Sequence, residues 1–159
     1  MKFTAINEIT NFSYRDSYIT EADFNGDKIV FQVEALIVRA KNSQNTNFTD
    51  SYADATKVEF NDAKIIKLLK LGYKYYDAND NLIDEIPDTE EAFSAINLKA
   101  LFEKSFITDV IETADNSYAI RIELPELEPG VITNEYELQI KCSDIVYSWD
   151  KYLNRVQEY

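Results

Sequence analysis

Hydrophobic and polar side chains alternate with a period of two along most of this chain. Residues 28–40 show the pattern best, because Ile29, Phe31 and Val33 share one face while Val30 and other apolar residues line the opposite face. Strong β-branched content with two apolar faces is typical of a central strand. The same alternation predicts further strands over residues 52–60, 73–76, 106–112, 118–124, 131–142 and 145–149. The chain is therefore predicted to fold mainly into sheets.

Turn-forming residues separate the predicted strands. Asn25 and Gly26 form the strongest hairpin signal in the sequence. Residues 41–50 are polar, contain three asparagines and have no period, so they are predicted to form a loop. Further turns are predicted at residues 61–62, 77–81 and 114–117, and a break in the sheet is predicted at residues 125–130. Neighbouring strands joined by such short connections should pair antiparallel.

Apolar residues at a spacing of three to four occur in two segments. Residues 63–71 fit a strand or a short amphipathic helix that ends at Gly72, and the strands predicted on both sides favour the strand. A helix is predicted further along, because Asp88 and Glu91 have the spacing of a capping box and residues 89–104 then carry an apolar stripe. Only the second segment is therefore assigned to a helix.

These elements predict an α+β fold that is mostly antiparallel β, arranged as a sandwich or open roll, with one α-helix near residues 88–104. Residues 1–159 are expected to form a single domain, because the length fits one domain and no linker or repeat interrupts the chain. No run of about 18 apolar residues is present, so no membrane-spanning helix is expected. Residues 1–8 lack the pattern of a secretory signal, which predicts a cytoplasmic protein.

Composition and charge narrow the classes of function. The chain has 16 Lys or Arg, 29 Asp or Glu and no histidine, which gives a net charge of −13. Without histidine, Ser-His-Asp catalysis, Cys-His catalysis and the common zinc sites are excluded. The three glycines, Gly26, Gly72 and Gly130, form neither a phosphate-binding loop nor a dinucleotide fingerprint. The negative charge should repel nucleic acid and membrane lipid and attract a basic protein.

No catalytic residue, metal site or cofactor is predicted from these residues. Whether the protein is an enzyme stays open, and a non-catalytic role is favoured. The single cysteine, Cys142, is in phase with Tyr136, Leu138 and Ile140 along a predicted strand. It is therefore expected to be a small buried hydrophobic residue rather than a nucleophile.

The richest acidic segment, residues 77–91, holds seven carboxylates and no Lys or Arg. Asp77, Asn79 and Asn81 have the spacing of the first half of a calcium loop, but Leu82 stands where such a loop needs glycine. A hairpin turn is the favoured interpretation of this spacing. The acidic surface is either solvated or faces a basic partner. The candidate binding residues in this segment are Asp77, Asp80, Asp84 and Glu85.

Aromatic residues are the second unusual feature, with 11 tyrosines and a single tryptophan. Exposed aromatic rings can stack on sugars or anchor a protein interface. On strands, however, alternating aromatics commonly form cross-strand packing pairs. The candidate binding residues of this kind are Tyr73, Tyr75, Tyr147 and Trp149.

Three stretches of the chain carry a resemblance to other proteins. They are residues 12–19 (FSYRDSYI), residues 72–77 (GYKYYD) continued by 81–88 (NLIDEIPD), and residues 146–150 (VYSWD). Together they resemble a recurring type of small acidic bacterial protein whose members mostly lack an assigned role. The resemblance implies a β-rich domain and transfers no active-site residue.

The favoured hypothesis for the function is a non-catalytic acidic protein-binding module, of the immunity or inhibitor kind, that engages a basic protein partner. The alternative is a small-ligand or glycan binder that uses the tyrosine and tryptophan clusters. A carboxylate-based hydrolase ranks last, because among 29 acids chance carboxylate pairs are unavoidable. Nucleic acid and membranes are not expected as partners.

Overall fold

Strands make up most of the protein, whose computed structural model describes residues 1–125 and 134–156. The strands of the first half are β1 (Phe3–Ile6), β2 (Phe12–Ser13), β3 (Tyr18–Asn25), β4 (Lys28–Glu34), β5 (Ile37–Val38), β6 (Ser51–Ala53), β7 (Thr56–Asn61) and β8 (Lys64–Lys70). Those that follow are β9 (Tyr73–Tyr76), β10 (Leu82–Ile86), β11 (Thr89–Glu91), β12 (Phe106–Ala114), β13 (Ser117–Glu123), β14 (Glu135–Lys141), β15 (Asp144–Trp149) and β16 (Tyr152–Arg155). One α-helix, α1 (Ala95–Phe102), lies between β11 and β12. The pairings within the described residues are antiparallel, which confirms the predicted α+β, mostly antiparallel fold.

Ten of the described strands form one sheet, in the order β1-β15-β7-β4-β3-β12-β13-β14-β8-β11. The sheet has two halves that meet at a narrow junction between β3 and β12, because these two strands share only the residue pair Tyr18 and Phe106. Strands on both sides of the junction contribute to one buried cluster, for example Phe60 and Ile145 from one side and Ile120 from the other. The two halves of the sheet therefore face each other around a common core, as in a sandwich.

A smaller sheet contains β16, β6, β5 and β2, in that order. The chain passes from the large sheet into the small one at Ala35, whose backbone is left-handed with a φ of 57°. Residues 28–40, predicted to be one strand, are therefore divided between β4 and β5. Residues 52–60 are divided in the same way between β6 and β7. The prediction of continuous strands was wrong. Buried residues occur on both sides of each bend, so the hydrophobic pattern alone does not reveal where the chain leaves one sheet for the other.

The helix is shorter than the prediction of residues 88–104. It begins after Ser94, whose Oγ accepts a hydrogen bond from the N–H of Asn97 at 3.2 Å. The predicted N-cap, Asp88, instead accepts a hydrogen bond from the N–H of Gly72 at 2.7 Å. The residues after it form β11, which pairs with β8. Capping-box spacing is a local signal, and pairing with a neighbouring strand overrides it.

Several other predictions about strands and turns are confirmed. Residues 63–71 contain the strand β8, which pairs with β14 on one side and β11 on the other. The Asn-Gly signal falls at the β3–β4 hairpin, where Gly26 and Asp27 form the loop and Gly26 has a φ of 63°. The break predicted at residues 125–130, apart from Pro125, and the start of the strand predicted over residues 131–142 lie outside the described residues.

Aromatic rings fill much of the core. Phe102 of α1 stacks on Phe31 of β4 with ring centroids 5.4 Å apart, so the helix covers the sheet through this contact. Tyr147 stacks on Phe12 with centroids 4.0 Å apart, and the rings of Trp149 and Phe12 pack in a T-shaped arrangement with centroids 5.8 Å apart. Burying one large apolar side chain stabilises a fold by about 1.5–3 kcal/mol. These rings are therefore a main source of stability.

A pair of tyrosines is buried inside this core. The hydroxyls of Tyr14 and Tyr147 lie 2.5 Å apart, and the Tyr14 hydroxyl also donates to the carbonyl of Ile9 at 3.3 Å. Because the carbonyl of Ile9 can only accept, we infer that the Tyr147 hydroxyl donates to the Tyr14 oxygen. Burial raises the pKa of both phenols well above their usual value, so both stay neutral.

We expect the substitutions Tyr14→Phe and Tyr147→Phe to differ in their effect on stability. Tyr14→Phe should lower the free energy of unfolding by about 1–3 kcal/mol, because the Tyr147 hydroxyl is left buried without an acceptor. Tyr147→Phe should lower it by about 1 kcal/mol or less, because the Tyr14 hydroxyl keeps the carbonyl of Ile9. Urea unfolding of both variants measures the difference. A larger loss for Tyr147→Phe would contradict this direction of the hydrogen bond.

Candidate functional site: the acidic hairpin

Strands β9 and β10 and the turn between them form a hairpin that continues beyond the main sheet. We call residues 73–86 the acidic hairpin. Its strands pair with each other and, within the described residues, with no other strand. They prolong β8 and β11, which pair with each other in the large sheet. All five residues of β10 and three of the four in β9 are exposed, so the hairpin is open to solvent on both faces.

Gly72 sets the junction between the main sheet and the acidic hairpin. A Cβ atom at this position would lie 1.8 Å from the carbonyl oxygen of Ile86 and 2.6 Å from the carbonyl carbon of Pro87. Glycine is therefore required for the close approach of the two strands. The N–H of Gly72 donates to Oδ1 of Asp88 at 2.7 Å, which holds the strands together at this point.

The turn of the hairpin is organised by Asp77. Its Oδ1 accepts hydrogen bonds from the N–H of Asn79 at 2.8 Å and from the N–H of Asn81 at 3.0 Å. Its own N–H donates to the carbonyl of Asn81 at 2.9 Å. The N–H groups of Asn81 and Asn79 hold the pKa of the Asp77 carboxyl below its usual value. The calcium-like spacing is thus used for a turn, and no group of three or more His, Cys, Asp or Glu suited to a metal occurs among the residues that are described.

The strand register places aromatic and acidic side chains next to each other. The rings of Tyr73 and Tyr75 share one face, with centroids 4.6 Å apart. Tyr75 lies opposite Asp84 in the adjacent strand. On the other face Lys74 lies opposite Glu85, with Nζ 3.8 Å from Oε1. Lys74 is the only basic residue of the hairpin, so most of its negative charge is not neutralised within the hairpin.

Apolar side chains on the hairpin remain in contact with water. The register shift between Leu82 and Asp84 adds Ile83 to the strand as an extra residue. Five large apolar residues are 42–66% exposed, and they are Tyr75, Tyr76, Leu82, Ile83 and Ile86. Several exposed apolar side chains grouped together and bordered by polar residues mark interaction sites on proteins. Such a surface is suited to binding, and nothing in it resembles a nucleophile paired with a base.

The structure brings six of the eight predicted binding residues together and separates the other two. The six lie on the acidic hairpin, and they are Tyr73, Tyr75, Asp77, Asp80, Asp84 and Glu85. Tyr147 and Trp149 are both 0% exposed and lie on β15, between β1 and β7 in the sheet. A ligand could not contact these two rings without opening the core. The aromatic surface that the glycan hypothesis requires is therefore absent around them.

Sequence reasoning missed the apolar members of the hairpin as site residues. Tyr76 falls in the predicted strand of residues 73–76, and neither it nor Leu82, Ile83 or Ile86 is among the predicted binding residues. A signal was present, because the segment 82–86 has apolar residues at both odd and even positions and carboxylates between them. A strand with two apolar faces normally has other elements packed against both, and both faces of this hairpin are open to solvent.

Comparison with known proteins gives no relative for this chain. It matches no protein-family model, no curated protein and no solved structure. The resemblance carried by residues 12–19, 72–88 and 146–150 therefore stays a prediction. Within the described residues, no helix has the length and hydrophobicity that crossing a lipid bilayer requires.

Cys142 is buried, as the alternation of its strand predicted. Burial raises the pKa of its thiol to about 11, with a smaller contribution from the negative charge of Asp144. At neutral pH the thiol is therefore protonated and a poor nucleophile.

We expect Gly72→Ala to disorganise the acidic hairpin. The added methyl group overlaps the backbone at Ile86, so the strands must separate, at a cost of about 1–3 kcal/mol in the free energy of unfolding. Hydrogen exchange of the β9 and β10 amides should accelerate. The control is Gly26→Ala, where no atom lies within 4 Å and only the positive φ opposes the methyl group. Unchanged protection of the hairpin amides in Gly72→Ala would contradict the role of this residue.

Stability should fall at alkaline pH. The thiol of Cys142 ionises near 9.0 when unfolded but only near 11 when folded, so its contribution is complete below pH 9 and is lost as the pH rises to 11. Tyr14 and Tyr147, whose pKa values are also raised, continue the loss above pH 10. Between pH 9 and 11 the variant Cys142→Ala should lose less stability than the wild type, by roughly 2 kcal/mol. If urea unfolding shows the same pH dependence of the free energy of unfolding for the wild type and for Cys142→Ala, the loss of stability is not due to Cys142.

Proposed function

We propose that this protein is a non-catalytic binding module whose acidic hairpin engages a protein partner with a basic surface. One observation carries the proposal. Five large apolar side chains, each 42–66% exposed, stand beside four carboxylates on a hairpin that continues beyond the main sheet. No other role is evident for apolar residues that the fold leaves in water.

The apolar residues supply the affinity in this proposal. Tyr75 and Tyr76 present large rings with few rotatable bonds, and such tyrosines are frequent among the residues that dominate binding energy. Leu82 lies opposite Tyr76 in the adjacent strand, and Ile83 follows it, so both add exposed apolar area next to the turn. Burying each side chain against a partner removes it from water and stabilises the complex by about 1.5–3 kcal/mol before the cost of association.

The carboxylates supply steering and specificity. Asp80, Asp84 and Glu85 are exposed around the apolar residues, and the protein as a whole carries a net charge of −13. A negative rim attracts a basic partner and accelerates its association, and it disfavours acidic proteins. Salt screens such attraction, so the association rate should fall with ionic strength.

The internal contacts of the hairpin support the same proposal. The hydrogen bonds of Asp77 fix the turn, and the close contact at Gly72 fixes the base. A surface that is ordered before binding loses less conformational entropy when it binds. The hairpin therefore has the properties of a preformed recognition element.

The immunity or inhibitor form of this proposal makes the partner a basic enzyme or toxin, which the protein blocks by covering its active surface. A cytoplasmic location belongs to the same proposal. The single cysteine is buried, so the described structure uses no disulfide and is compatible with a reducing compartment.

Two triple variants with the same change in net charge test the role of the hairpin. The hairpin variant is Asp80→Asn, Asp84→Asn, Glu85→Gln, and the control variant is Asp27→Asn, Glu34→Gln, Asp115→Asn at exposed positions outside it. Partners are captured from the native cell at low salt, and their association rates with each variant are measured. The hairpin variant should associate at least about 10-fold more slowly with a basic partner, and the control less than about 2-fold more slowly.

Three outcomes would contradict the proposal. Equal slowing by both triple variants would show that net charge acts without the hairpin. Capture that recovers no basic protein would show that the proposed kind of partner is absent. If Tyr76→Ala binds the captured proteins as tightly as the wild type does, the apolar surface takes no part.

A further inference from the structure

The loop between β5 and β6 displays a phenylalanine in a way that the fold does not require. The side chain of Phe48 is 93% exposed, and its backbone is left-handed with a φ of 60°. A bulky residue is disfavoured in this conformation, because its Cβ lies too close to the following carbonyl oxygen. Phe48 therefore combines two unfavourable features, an apolar ring in water and a strained backbone, at one position.

The other left-handed residues have evident reasons for this conformation. Ala35 turns the chain from the large sheet into the small one. Lys104 follows the helix, and its N–H donates to the carbonyl of Ile19 at 2.8 Å. The others besides Phe48 and Gly26 are residue types that tolerate positive φ, and they are Asn7, Asp62, Asp80 and Asn116. Phe48 is the only bulky apolar residue in this conformation among the described residues, and it lies in the bend of residues 47–49.

Hydrogen bonds from Asn45 hold the loop in this conformation. Its Nδ2 lies 3.0–3.1 Å from the carbonyl oxygens of Val38, Arg39 and Thr49. Its Oδ1 accepts a hydrogen bond from the N–H of Asn47 at 2.8 Å. The loop is therefore ordered around Phe48, and the strain at this residue persists because its neighbours determine the backbone.

The chemistry around Phe48 differs from that of the rest of the surface. Residues 41–50 carry one positive and one negative charge, Lys41 and Asp50, in a chain of net charge −13. The remaining residues besides Phe48 are Asn, Ser, Thr and Gln. A rigid aromatic anchor among small polar side chains with adaptable hydrogen bonds is the composition of antibody binding loops.

We propose that the loop of residues 41–50 is a second protein-binding surface, which inserts the ring of Phe48 into an apolar pocket of a partner protein. A membrane is the less suitable occupant, because the net charge of −13 repels anionic lipid and residues 41–50 contain one cation only, Lys41. The inference does not depend on the acidic hairpin, since it rests on different residues and on the strain at Phe48.

The stability of Phe48→Asn is the first test. Asparagine tolerates a left-handed backbone and is polar, so the variant should unfold at a Tm higher by roughly 2–4 °C. A lower Tm would show that Phe48 supports the fold and would overturn the proposal.

Photo-crosslinking is the second test. Benzoylphenylalanine is placed at position 48, or at position 96 as a control, because Ile96 is an apolar residue with 81% exposure on the helix. Irradiation in the native cell should give a discrete protein adduct at position 48 that is absent at position 96. Adding Asn45→Asp, which cannot donate to the three carbonyls, should remove most of the adduct.

Binding by the crosslinked protein, once purified, completes the test. Phe48→Ala should weaken binding by at least about 30-fold, as for a residue that dominates an interface. No adduct at position 48 above that at position 96 would overturn the proposal. The proposal would also be overturned if the protein bound vesicles of phosphatidylcholine and phosphatidylglycerol and Phe48→Ala abolished this binding. The ring of Phe48 would then insert into a membrane.

Discussion

The contact between the two halves of the ten-stranded sheet supports the rest of the structure. Each half covers the apolar face of the other, and side chains such as Phe60, Ile145 and Ile120 meet in a single cluster. A sheet of this size buries its apolar face, and its two halves are joined between β3 and β12 by one residue pair only. The helix and the small sheet add to this core through Phe102, Phe12 and their neighbours.

The stability of the core allows the surface to keep unfavourable features. Exposed apolar residues on the acidic hairpin and the strained Phe48 both lower the stability of the folded protein. The excess negative charge does the same, because like charges repel in the compact state. Few acids are compensated as closely as Glu59, which lies within 4.0 Å of both Lys28 and Lys57. These surface features therefore subtract from the stability that the buried core provides.

The candidate site could be predicted in part because its residues are contiguous in the sequence. Asp77, Asp80 and Asp84 lie on one hairpin whatever the rest of the chain does. Tyr147 and Trp149 are separated from it by more than 60 residues, and their environment depends on which strands flank β15. Alternation cannot distinguish an aromatic face that meets the core from one that meets water. The exposure of Phe48 could not be predicted from the sequence either, because the conformation of its loop depends on hydrogen bonds such as those of Asn45.

Local information in the sequence determined the class of the fold, most of the strands, the main hairpin turns and the chemistries that a chain without histidine lacks. These depend on the period of side chains and on turn residues, which act between near neighbours. Tertiary structure decided where the strands of residues 28–40 and 52–60 divide and why the helix begins after Ser94 rather than Asp88. It also decided which aromatic residues are buried. Each of these outcomes depends on pairing and packing between segments far apart in the chain, and a local pattern carries no information about such partners.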